Sequence, residues 1–72
     1  MKEKDFIKIC KMAYKIHKNS PYGDLYKKFD IEQLLDVAAY KAKRAMLIDN
    51  EAKRIDDILD AINFLIFAML KR

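Results

Sequence analysis

Apolar residues recur along most of the chain at spacings of three and four, the period of an α-helix with one covered side. The first such segment runs from about Lys4 to Lys18. Phe6, Cys10, Ala13 and His17 share one face there, widened by Ile9 and Ile16. A second segment is announced by Asp30 with Gln33 three residues on, the residue pair of a capping box. Its apolar face reads Ile31, Leu34, Leu35, Ala38, Ala42 and Ala45, and the alanines predict a closely approaching neighbour. A third segment follows Asp49-Asn50, either of which can cap it, and continues to the end of the chain. Glu51 suits its first turn and Lys71 and Arg72 its last, against the helix macrodipole. The only glycine and the only proline stand together in Asn19-Ser20-Pro21-Tyr22-Gly23-Asp24, the one strong break. The pattern predicts an all-α single domain over residues 1–72, with two shorter helices and a longer, more apolar last one.

That last helix is apolar on both sides. Ile55, Ile58, Leu59, Ile62, Leu65, Ile66 and Met69 form one broad stripe, expected to face the core. Phe64 and Phe67 fall opposite it, near Asp56, Asp57 and Asp60. A helix apolar all round is usually covered all round. Either a second copy covers Phe64 and Phe67, or the stretch from Tyr22 to Phe29 folds over them. The expectation is the former, a helical-bundle homo-oligomer, a dimer first, with Phe64 and Phe67 in its interface.

Composition supports that expectation. Seventy-two residues bury only a modest core, so domains of this size lean on disulfides, metals or assembly. One cysteine forbids an internal disulfide, and one cysteine with one histidine makes no zinc site of the Cys/His kind. A lone thiol suits a reducing, cytoplasmic setting. The charged N-terminus has no signal-peptide pattern, and the longest apolar run, Ala61 to Leu70 broken by Asn63, is about half the length that spans a bilayer. A soluble protein without a membrane partner is expected. The net charge of +4 interleaves fifteen bases with eleven acids. No helix offers a run of Arg, Lys, Asn and Gln suited to a DNA groove, so nucleic acid is not the expected partner.

Three constellations could carry chemistry. Asp56, Asp57 and Asp60 are the densest acids and share one helix face. Asp57 and Asp60 are the candidate ligands for Mg²⁺, with Glu32 and Asp36 as the only comparable carboxylates on another helix; the alternatives are a solvated acidic face or ion pairs with Lys41 and Arg44. Lys41 and Arg44, one turn apart, could grip a phosphate. Tyr22 and Tyr26, in the only broken stretch, could stack a planar ring. His17 and Cys10 lie within an apolar stripe and read as packed residues; about 10 Å apart along the axis, they make no catalytic pair.

Taken in order, Tyr22-Gly23-Asp24, Lys41-Ala42-Lys43-Arg44 and Asp56-Asp57-Ile58-Leu59-Asp60-Ala61-Ile62-Asn63-Phe64 resemble the nucleotide-modification-associated domain family, small helical proteins common in phages and prophages. The resemblance covers about Lys18 to Leu70. That family is itself similar to all-α nucleotide pyrophosphohydrolases of the MazG type, which act as oligomers and hold Mg²⁺ on two acidic motifs of facing helices. Asp57 and Asp60 could correspond to the second motif. The first, Glu-x-x-Glu, has no counterpart here; Glu32 and Asp36 are four apart. The resemblance therefore implies a phage-like binder of a nucleotide or other phosphate-bearing ligand, more a binding protein than an enzyme, with Mg²⁺-dependent pyrophosphohydrolysis as the chemistry if any is retained. Its site would comprise Tyr22, Lys41, Arg44 and Asn63 for the ligand and Asp57 and Asp60 for the metal. The other reading of the same chain is a non-enzymatic inhibitor or regulator that docks on a host protein.

Overall fold

The computed structural model describes all 72 residues. It holds α1 (Glu3–Asn19), a short 3-10 segment (Gly23–Lys28), α2 (Ile31–Leu47) and α3 (Glu51–Lys71), with no strand. No helix is long and apolar enough to cross a membrane.

Local chemistry accounts for each boundary. α1 ends where Ser20 N–H bonds back to the His17 carbonyl and Pro21 follows. Gly23 then takes φ = +51°, a left-handed conformation that side-chain-bearing residues adopt only at a cost. The expected capping box opens α2: the Asp30 carboxylate accepts from Gln33 N–H at 2.8 Å, and the Gln33 side chain accepts from Asp30 N–H at 2.9 Å. Asn50 caps α3 by accepting from Lys53 N–H at 3.0 Å. Arg54, in the first turn of α3, donates to the Ala45 and Ile48 carbonyls at 3.1 and 2.7 Å. It thereby satisfies carbonyls that the end of α2 would leave open and pins the short turn between the two helices.

α2 and α3 form the main packed pair, and α1 lies against α3. Alanines sit where the helices meet: Ala38 and Ala45 on α2, and Ala61 and Ala68 on α3, are buried. Ala13, with no exposed surface at all, marks the approach of α1 to α3. There Asn63 of α3 donates its side-chain amide to the Ala13 carbonyl at 2.8 Å. Cys10, one turn earlier on α1, is half-buried and unpaired.

The orientation of α3 departs from expectation. Asp57, Leu59, Ala61, Asn63, Phe67 and Ala68 are its buried residues, whereas Ile55, Ile58, Leu65, Ile66 and Met69 are exposed. Phe67 belongs to the core with Leu34 and Ala68, and Phe64 and Tyr26 pack on that cluster. Phe64 and Phe67 therefore face their own protomer instead of a second copy. The 3-10 segment is the reason: Tyr26 stacks on Phe67 with centroids 4.1 Å apart and planes 9° from parallel. α2 is turned likewise, with Leu34, Ala38 and Ala45 buried but Ile31, Leu35 and Ala42 outside. In α1, Ala13 is buried and Phe6 and Ile9 are exposed.

Candidate functional site

The rotation of α3 brings its aspartates against the basic edge of α2. Arg44 meets Asp57 side-on: Nε donates to Oδ2 at 2.9 Å and Nη2 to Oδ1 at 2.6 Å. One turn away, Lys41 Nζ lies 3.2 Å from Asp60 Oδ2. The aromatic ring of Tyr40 sits under the guanidinium, 5.6 Å from its centre. Asp57 is only 1% exposed, a burial that alone would favour its neutral form. The hydrogen bonds from Arg44 outweigh it and hold the carboxyl below the usual carboxylate range, with the charges of Arg44 and Lys41 adding to the effect. Asp57 in turn keeps the guanidinium firmly protonated.

These pairs bear on the expected metal. Both Asp57 oxygens are engaged by Arg44, and Asp60 is engaged by Lys41. Asp56, Glu32 and Asp36 are exposed, and nowhere do three His, Cys, Asp or Glu side chains gather within reach of one ion. A hard cation prefers several open carboxylate oxygens. The residues present do not fit Mg²⁺, and the two aspartates act instead as counter-ions of Lys41 and Arg44.

On the other side of Lys41 a cavity of about 400 Å³ opens between α1, the 3-10 segment, α2 and α3. This is within the range of small-molecule pockets. Its wall is chiefly aromatic and aliphatic, from Tyr26, Phe29, Phe64 and Phe67 with Ile16 and Leu25. Its polar groups are few: Tyr22 stands at the rim and is largely exposed, while Lys41, Asp60, Asn63 and His17 reach in from the helices. The His17 ring meets Tyr26 and Phe67 edge-on, at 5.9 and 5.1 Å between centroids. Asn63 is anchored through its amide nitrogen, and its carbonyl oxygen accepts no hydrogen bond from the protein.

Of the residues expected to bind ligand, Tyr22, Lys41 and Asn63 thus line one cavity. Arg44 lies outside it, one turn along α2, with Asp57. Phe64 and Phe67, expected in an interface, line the cavity as well. His17 is packed, as its place in an apolar stripe implied, yet it also borders the cavity. Asn63 had a legible signal, being the one polar interruption of the longest apolar run. The ring stack of Tyr26 on Phe67 joins residues 41 positions apart, which no local periodicity encodes.

Comparison with protein-family models, with curated proteins and with solved structures finds no match for this chain.

Proposed function

We propose that this protein is a non-catalytic binder of a small planar ligand carrying an anionic group, with nucleotides as the leading class. One observation carries the reading: Tyr22, Lys41 and Asn63, from three different parts of the chain, converge on a single aromatic-walled cavity. A heterocyclic ring would lie against Tyr26, Phe64 and Phe67, and the free Asn63 carbonyl oxygen would accept from its edge. A phosphate would leave the cavity past Lys41 toward the uncommitted edge of Arg44. The resemblance of its motif order to the nucleotide-modification-associated family points to the same ligand class.

Titration calorimetry with a panel of nucleoside mono- and triphosphates, with and without Mg²⁺, tests it. Heat is expected from at least one nucleotide and is expected to be insensitive to Mg²⁺; no heat from any of them rejects the reading. Asp60→Asn gives the sharper result. Freed from its counter-ion, Lys41 should hold phosphate more tightly, by roughly 10-fold for one strengthened charge-assisted hydrogen bond. A metal-dependent site would respond in the opposite direction, losing affinity.

Self-association belongs to the same proposal, through a different surface from the one first expected. The protomer exposes 5900 Å². A compact monomer of 8.5 kDa would expose about 4,700 Å² by the usual mass scaling. The excess of about 1,200 Å² is more than the ~800 Å² each partner contributes to a standard interface. The aliphatic side of α3 is exposed, and it borders a shallow groove between α2 and α3 lined by Ala42, Met46, Ile58, Ile62 and Leu65. The groove is lined by the small side chains of Ala42, Ala45 and Ala61 among larger ones, and in the proposed dimer it takes the same helix face of a second copy. Sedimentation at tens of micromolar should report a dimer, and Ile58→Glu/Leu65→Glu should yield a folded monomer, since both side chains are about half exposed in the protomer. A wild-type chain that sediments at 8.5 kDa rejects the dimer. Loss of binding to another protein in that double variant, without a change in sedimentation, would favour the regulator reading, which the same uncovered face supports.

A further inference from the structure

The charge of this molecule is not evenly spread. Residues 1–19 hold six lysines and two acids, a net charge of +4, while residues 20–72 hold nine bases and nine acids and are neutral. The entire excess therefore sits on α1 and the two residues before it. Beyond Asp5, α1 contains no acid at all.

Within α1 the lysines are ordered. Lys4, Lys8, Lys11, Lys15 and Lys18 follow one another at intervals of four, three, four and three. At about 100° per residue they lie within about 40° of one line, and the line is about 21 Å long. All five are exposed, and none is paired with a carboxylate. The opposite side of α1 is the one that packs, through Ala13, Cys10, Ile16 and His17. Acids border the stripe without entering it: Glu3 and Asp5 at its start, and Asp56 and Asp60, which share a surface depression with Lys15, near its end.

Such an arrangement works against the helix that carries it. Each of the four successive lysine pairs places like charges one turn apart, and each costs about 0.2–0.5 kcal/mol. Lys4 and Lys8 also lie toward the positive end of the macrodipole. No carboxylate of the protomer forms an ion pair with any of the five lysines, so the acids that border the row offset these repulsions only in part. A linear polyanion laid along the helix would offset all of them together.

We propose that α1 is a contact surface for the phosphodiester backbone of a nucleic acid, bound without regard to sequence. A straight row of about five cations matches a regular line of phosphates, and counter-ion release supplies the affinity. Lysine is suited to this as a point charge, and of the Arg, Asn and Gln side chains that make bidentate base contacts α1 offers only Asn19, at its last position. An anionic bilayer fits less well. A helix that lies in a membrane buries its whole apolar side there, but the middle of that side of α1 is held against α3 at Ala13 by Asn63, which leaves only its first turns, with Phe6 and Ile9, open. The surface is distinct from the cavity and does not depend on what the cavity binds.

Fluorescence anisotropy with labelled duplex DNA of two unrelated sequences, and with single-stranded RNA, tests the inference on the whole chain. Equal affinity for both duplexes is expected. For five phosphates the affinity for duplex should fall about 500-fold between 50 and 200 mM salt, a log–log slope near −4.5. Lys8→Gln/Lys11→Gln/Lys15→Gln should bring that slope to about −1.8, and glutamine keeps nearly the same helix propensity, so the fold should persist by circular dichroism. Lys28→Gln/Lys43→Gln/Lys53→Gln removes the same net charge away from the stripe and should leave the slope near its wild-type value. Equal losses in the two triple variants would mean that net charge alone acts, and would overturn the proposal. So would failure to bind any nucleic acid at 50 mM salt, or tighter binding to phosphatidylserine vesicles than to duplex DNA.

Discussion

Replacing Phe67 with alanine should leave most of the population unfolded near room temperature. The ring is 8% exposed and is the meeting point of three others: Tyr26 stacked at 4.1 Å, His17 edge-on at 5.1 Å and Phe64 edge-on at 5.3 Å. It also completes the cluster with Leu34 and Ala68 that joins α2 to α3. Truncating a buried phenylalanine costs about 3–5 kcal/mol through lost transfer energy and the cavity left behind. A core of this size supplies about 3–5 kcal/mol of net stability in all. The two quantities are equal within their spread, so the variant has no margin. Urea denaturation followed by circular dichroism measures it. Ile66→Ala, one residue away on the uncovered side of the same helix, should change stability by about 0.5 kcal/mol or less at dilutions where protomers are separate. If Ile66→Ala were the costlier of the two, the orientation of α3 described above would be wrong.

Acid should unfold this protein chiefly by protonating Asp57. The carboxyl is held below its ordinary value of 3.8 by Arg44 in the folded state and returns to that value in the unfolded chain. Above about pH 5 it is ionised in both states, and its stabilising effect is complete. As pH falls below about 4, the unfolded chain takes up the proton first, and the effect is lost as pH descends through the lowered folded-state value. Stability should therefore fall with decreasing pH in this window, with a net uptake of protons on unfolding. Asp57→Asn is expected to lower stability at neutral pH, because Arg44 loses its counter-ion, and to flatten the acid limb. Denaturation series at half-unit pH steps from 3 to 7, for wild type and variant, provide the comparison. An unchanged acid limb in the variant would assign the titration to other carboxylates.

The ends of the helices were largely legible in the residue order. Asp30 with Gln33, Asn50, and the Pro21–Gly23 break form the boundaries they were expected to form, because caps and breakers act within a few residues of chain. The faces were less legible. Counting apolar residues on α3 points Ile55, Ile58, Leu65 and Met69 inward, yet those side chains are outside. Periodicity weighs apolar bulk and is blind to what lies across the gap. Here the inward side carries, besides Phe67 under the 3-10 segment, Asp57 with Arg44, Asp60 with Lys41, and Asn63 with the Ala13 carbonyl. Each of the last three is a contact between helices, and each needs a polar residue to face in. The same contacts convert two candidate metal ligands into counter-ions. Lys41, Tyr22 and Asn63 were legible as individual residues, and their meeting in one cavity follows from the 3-10 segment folding onto Phe67. The lysine row of α1 was present in the spacing from the start, but whole-chain interleaving of bases with acids conceals it.

One small feature has practical value for following motion. α1 is held to α3 by buried Ala13, by the hydrogen bond from Asn63 and by His17 against Phe67, and the lone thiol at Cys10 lies half-covered a turn from Ala13. Whenever the first helix peels away, the sulfur meets solvent in full. The speed at which iodoacetamide alkylates native protein, set against the speed for urea-unfolded chain, therefore clocks that detachment without any introduced label. Weakening that hold through Asn63→Ala should hasten the reaction.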